Sequence, residues 1–175
     1  MINQYYQTAQ TFRKTLESLA KILEIASEHI IDNQLDEGDF LNASLASDML
    51  PLNRQIQIAC DGIKGFVGRL TESEMPKMED SESNLNDLVL RINNVIDLVD
   101  KFPEEKFSKA SDVRVVLPWM ASSMPGKYLT AEVYLYQFAI PNIYFHLVTA
   151  YDIIRSQGVS IGKMDYIGQL ELTEV

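Results

Sequence analysis

Cysteine occurs once in these 175 residues, at Cys60, so no internal disulfide framework is open to the chain. Histidine occurs only twice, at His29 and His146, which leaves little imidazole for a metal. No uncharged apolar run approaches the roughly 20 residues that cross a bilayer. The most apolar region is interrupted by Pro141, His146 and Asp152. Met1 to Gln10 carries neither a basic cap nor an apolar stretch of the kind that reads as a leader, so the expected setting is the cytoplasm. Basic residues are in the minority as well. The formal net charge of -10 repels phosphate backbones and anionic headgroups, so neither nucleic acid nor membrane is an expected partner. Internal repeats and low-complexity tracts are absent.

Apolar spacing supplies the architecture. Ile2, Tyr5, Ala9, Phe12, Leu16, Leu19, Leu23, Ala26 and Ile30 keep steps of three and four, which holds one side of a helix towards a partner. Leu45, Met49, Leu52, Ile56, Ala59, Ile63, Phe66 and Leu70 repeat the pattern in a second helix, with Pro51 near its start or at a kink. Leu85, Leu88, Ile92, Val95 and Val99 mark a third, preceded by cap candidates in 79–84 and ended by Phe102-Pro103. The fourth runs Leu129, Val133, Tyr136, Ile140, Ile143, Leu147, Ala150 and Ile154 to a stop at Gly158, with Pro141 kinking it or dividing it in two. Four such stripes predict an all-α four-helix bundle forming one domain over 1–175. The connection from Glu104 to Lys127 is long, and its β-branched run Val113 to Leu117 predicts a strand or small hairpin beside the bundle.

Candidate chemistry collects on two helices. Asn142, His146 and Thr149 form a polar stripe on the fourth, and Asp48 and Gln55, seven apart, form an edge on the second. If the two edges face each other, Asp48, Gln55, Asn142 and His146 converge on a pocket. The alternative is a buried neutral histidine paired within a polar network. A metal needs at least three donors, and the position one turn after His146 is Ala150. Cys60 reads as a small core residue, and Ser44 and Ser47 lack a Gly-x-Ser-x-Gly elbow. Gly62, Gly65 and Gly68, three apart, predict close approach of another helix.

Leu45 to Leu52 with Gln55, Ala59-Cys60-Asp61, Arg69-Leu70, Pro141 to His146, Ala150-Tyr151 and Gly162 to Gly168 resemble a bacterial family of unknown function. That family is similar to the DinB/YfiT-like superfamily. The resemblance implies a four-helix bundle, often dimeric, of a kind that includes divalent-metal proteins and thiol-dependent S-transferases. It implies a metal site of three histidines, one on the second helix and two a turn apart on the fourth. Only His146 matches here, so no cofactor is expected and the pocket-lining set is Asp48, Gln55, Asn142, His146 and Tyr151. The expected role is that of a metal-free member binding a small molecule between helices two and four, or of a dimeric module. The alternative is a metal- or thiol-cofactor-dependent transferase using His146. A homodimer is expected from the same resemblance and from apolar residues off the stripes, namely Tyr6, Ile22, Ile31, Val67 and Val89.

Overall fold

A computed structural model describes residues 3–173, so Ile2 of the first stripe lies outside the described residues. Helix α1 (Gln4–Asp32) starts where the Asn3 side chain accepts the N–H groups of Tyr5 and Tyr6. The same side chain donates to the Phe107 carbonyl at 2.9 Å, tying the helix start to the long connection. Ala9, Phe12, Leu16, Leu19, Leu23 and Ala26 are buried along it, as the spacing predicts. A one-turn helix, α2 (Glu37–Leu41), sits within the polar link that follows.

Helix α3 (Leu52–Leu70) begins later than its stripe suggests, because Pro51 occupies the N-cap and biases Leu50 away from helical backbone. Leu45 and Asp48 therefore lie exposed in a turn rather than on the helix. Helix α4 (Leu85–Asp100) is capped by Asn84, which accepts the Asp87 N–H at 2.8 Å. Short 3₁₀ turns follow at Glu104–Phe107 and Ala110–Asp112. Strands β1 (Arg114–Val115) and β2 (Leu129–Thr130) pair antiparallel, separated by α5 (Pro118–Ser123). The expected β element is present, but as a minimal ladder spanning a helix rather than as a tight hairpin.

The last long helical stretch is continuous across three parts: α6 (Ala131–Val133), a π-helical segment (Tyr134–Ala139) and α7 (Ile140–Ser156). Pro141 has no N–H to donate to the carbonyl four residues back, and its ring crowds that carbonyl; the π turn directly before it takes up the mismatch. Because i→i+5 pairing uses more residues per turn, the buried set ahead of Ile143 becomes Ala139, Leu135, Tyr134 and Ala131. The expected Tyr136 is 53% exposed and reaches out to Gln4 at 3.0 Å. Gly158, at φ +91°, ends α7 in the left-handed region.

Helix α3 packs on α7 and α4, and α1 packs on α4, on α3 and α7, and on the terminal α8 (Lys163–Ile167). The four long helices form the bundle. No helix among the described residues is long and apolar enough to cross a membrane. Of the residues offered for a dimer face, Ile22 and Val67 are fully buried in the chain's own core, and Tyr6 packs on Phe107. Ile31 alone is largely exposed, at 71%.

A charge cluster around the buried Arg91 and its partner Glu82 holds the loop between α3 and α4. Arg91 is 2% exposed, and its Nη1 donates to Glu82 at 2.8 Å and to the Glu79 carbonyl at 3.0 Å. Its Nη2 stands 3.2 Å from Asp61 and 3.1 Å from Asp80, and Gln57 also donates to Glu82. Arg91→Ala strands the Glu82 carboxylate and is expected to cost about 3 to 5 kcal/mol in urea unfolding. Hydrogen bonding to Arg54 holds the Asp80 carboxyl below its usual range. Burial pushes the Glu82 carboxyl up, but the bonds from Arg91 and Gln57 outweigh it and hold that group low too. Both groups bind protons more readily unfolded than folded. Their stabilisation is therefore complete above the ordinary carboxylate pKa of about 4 and is lost as pH falls through the lower folded values. An acid titration of the Arg91→Ala variant should show a shallower decline than that of the parent chain.

Candidate functional site

Helices α3 and α7 meet closely because Gly62 has no side chain: a Cβ there would lie 3.0 Å from Cγ1 of Ile143. One helical turn along α7 from Asn142, the Nδ1 atom of His146 lies 2.7 Å from Oε1 of Gln55. The Gln55 amide nitrogen donates to the Leu50 carbonyl at 2.9 Å. A carbonyl only accepts, so the amide must turn its oxygen to the ring, and the neutral imidazole carries its proton on Nδ1. Nε2 keeps its lone pair. Burial pushes the His146 pKa down, which favours this neutral form.

The pocket foreseen from the sequence is divided. Gln55 is 2% exposed and His146 half-buried, and the two are bonded. Asp48 is exposed in the turn ahead of α3 and takes no part, because Pro51 moved the helix start past it. Tyr151 is half-buried and packs edge-on against Tyr166, with centroids 5.7 Å apart. Asn142 instead faces a separate cavity of about 200 Å³ between α3 and the π segment. Ile58, Gly62 and Arg69 wall one side of it, Tyr134, Phe138 and Ile143 the other, and Trp119 of α5 closes one edge.

Sequence reading missed Arg69, Tyr134 and Trp119 as site residues. A glycine one turn before an arginine was the available signal. Gly65 leaves the space into which Arg69 folds back, since a Cβ there would collide with Nη1. Gly68 does a third job, admitting Met75 of the following loop, which a Cβ would approach to 2.6 Å. Of the three glycines expected to admit a helix, only Gly62 does.

The residues present do not fit the three-histidine metal site that the resemblance implies. Among the described residues no three His, Cys, Asp or Glu side chains stand where they could hold one ion. His146 commits Nδ1 to Gln55, and Ala150 follows one turn later. Burial pushes the Cys60 thiol up to about 12, which makes it a core side chain and not a nucleophile.

Residues 4–167 match the family described as "Domain of unknown function (DUF1993)". Among solved structures, the chain is similar to a crystal structure of a DinB family member protein from Shewanella denitrificans, with 38% sequence identity. The match covers 98% of this chain and 95% of that one, with a TM-score of 0.91. No curated protein matches.

His146→Ala leaves the buried oxygen of Gln55 without its donor and is expected to lower stability by about 1 to 3 kcal/mol, with His146→Gln restoring part of the loss. Because the folded imidazole binds its proton less readily than the unfolded one, the parent chain should lose stability as pH falls below about 6.5. Urea unfolding between pH 7 and pH 5 checks both, and an unchanged midpoint in His146→Ala refutes the pairing.

Proposed function

Because the chain belongs to the DUF1993 family of DinB-like helical bundles, we propose that it is a metal-free member that binds a small molecule between α3 and the π segment leading into α7. One observation carries this reading: a cavity of about 200 Å³ in which four polar residues, Asp61, Arg69, Tyr134 and Asn142, meet an otherwise apolar and aromatic wall. Such a combination is how small-molecule sites hold and orient an occupant. The volume is below the roughly 300 Å³ at which drug-sized ligands are accommodated, so the occupant is small. Phe138 stacks on Tyr134 with centroids 6.1 Å apart, giving it a flat aromatic side to lie against.

The packing suits a preformed site. Tyr134 is also stacked on Phe66, which in turn packs edge-on against Phe12 of α1, so the cavity wall is continuous with the bundle core. Trp119 is half exposed at the rim and is the sole tryptophan of the chain. Its emission therefore reports from the cavity rim.

The test is a fragment screen of acids, bases and neutral compounds read by Trp119 emission and by thermal unfolding. A true occupant at 100 times its Kd should stabilise the fold by about 2.7 kcal/mol. Asn142→Phe, which fills the cavity from a half-buried position, should abolish both responses. Equal responses in parent and variant, or none in either, refute the proposal.

A further inference from the structure

Within that cleft one positive charge is unspent. Among the described residues Arg69, like Arg114 and Arg155, has no carboxylate within ion-pair distance, whereas Arg13, Arg54 and Arg91 each have one or more; of the unpaired three, Arg69 is the one that lines this cavity. This holds in a chain with 25 acidic residues against 15 basic ones. Asp61, the acid on the cavity wall, meets Arg91 at 3.2 Å and Lys64 at 2.9 Å, both through Oδ1, and stands beyond ion-pair distance of Arg69. Nη1 of Arg69 donates to the Tyr134 hydroxyl oxygen at 3.3 Å, and the guanidinium carbon stands 5.9 Å from the centre of that ring. Neither contact neutralises it.

Tyr134 takes Arg69 as its donor, so its own proton has no acceptor among the described residues. Burial pushes the phenol's pKa up, keeping that proton in place. Asn142 forms no side-chain hydrogen bond among the described residues either, although it faces the cavity. A cation, a hydroxyl donor and an amide donor thus line one small space, and among the described residues no carboxylate forms an ion pair with the cation and no side chain accepts from the hydroxyl or the amide.

We propose that the occupant is a small organic monocarboxylate, its carboxylate held by Arg69 with the Tyr134 hydroxyl and the Asn142 amide, its body laid against Phe138 and Trp119. The inference rests on the cavity reading above and adds the chemical class of ligand. A planar guanidinium matches a carboxylate in a forked pair. A single cation suits a monoanion; a phosphate dianion would bring more charge than Arg69 can balance inside a chain of net charge -10.

The experiment is titration calorimetry with benzoate, benzamide and benzylamine, and with propionate, propionamide and propylamine, on the parent chain, Arg69→Gln and Gly65→Ala. At least one acid should bind the parent chain about tenfold or more tighter than its amide and its amine, with affinity falling as salt is added. Arg69→Gln should erase that preference while leaving amide binding within about twofold. Gly65→Ala should weaken acid binding by pushing Arg69 aside, yet hold or raise the thermal midpoint, since alanine favours helix over glycine. That pairing separates a lost site from a lost fold. An amide or amine bound as tightly as its acid, or an acid preference that survives Arg69→Gln, overturns the carboxylate assignment and leaves the cavity reading standing. If no compound of any charge binds, both fall.

Discussion

The approach of α7 to α3 at Gly62 is the contact on which the site depends. Any side chain at that position would have to displace Ile143, whose Cγ1 lies 3.0 Å from where a Cβ would be. With the helices this close, Gln55 and His146 meet across the seam at 2.7 Å, while the neighbouring turn of α7 stands beside a cavity. A polar pair and a hollow are both costly inside a bundle. The pair is compensated by mutual bonding, and the hollow is walled in part by stacked aromatic rings, Tyr134 and Phe138, with Phe66 backing Tyr134 from the core.

Two arginines show how the same side chain serves opposite ends. Arg91 is enclosed by Asp61, Asp80 and Glu82 and fastens the loop 79–82 onto α3 and α4. Its charge is balanced within the fold, and the loop is thereby fixed. Arg69, on α3, rests on a ring and beside a glycine rather than on acids. The first arrangement consumes a cation for structure; the second keeps one available. Asp61 touches both settings: it meets Arg91 and Lys64 through Oδ1 and also lines the cavity beside Arg69.

The proline in the last helix shapes the cavity from the other side. A helix that meets a proline must kink, break or shift its bonding. Here the π turn over Tyr134–Ala139 absorbs the defect, and that turn supplies Tyr134, Phe138 and Ala139 to the cavity wall. A π turn displaces side chains from the positions an α-helix would give them, which is how a large phenol ends up 1% exposed and beside Arg69.

The sequence by itself determined the bundle. Stripes at steps of three and four in α1, α3 and α4 mark faces that must be buried, and that periodicity is local, so it can be read without knowing what covers it. The Asn84 cap and the Gly158 stop are local as well, and both are where the sequence places them. The Gln55 and His146 pairing was legible as two polar residues on core-facing edges. Two of the readings failed at prolines: Pro51 removed Leu45 and Asp48 from helix α3, and Pro141 re-phased the buried face before it. Arg69 could not be recognised as unpaired from sequence, because whether an arginine has a partner depends on which of 25 acids the fold brings near it. The cavity likewise belongs to no segment. Its walls come from α3, α5, the π turn and α7, and only their packing in three dimensions creates the space between them.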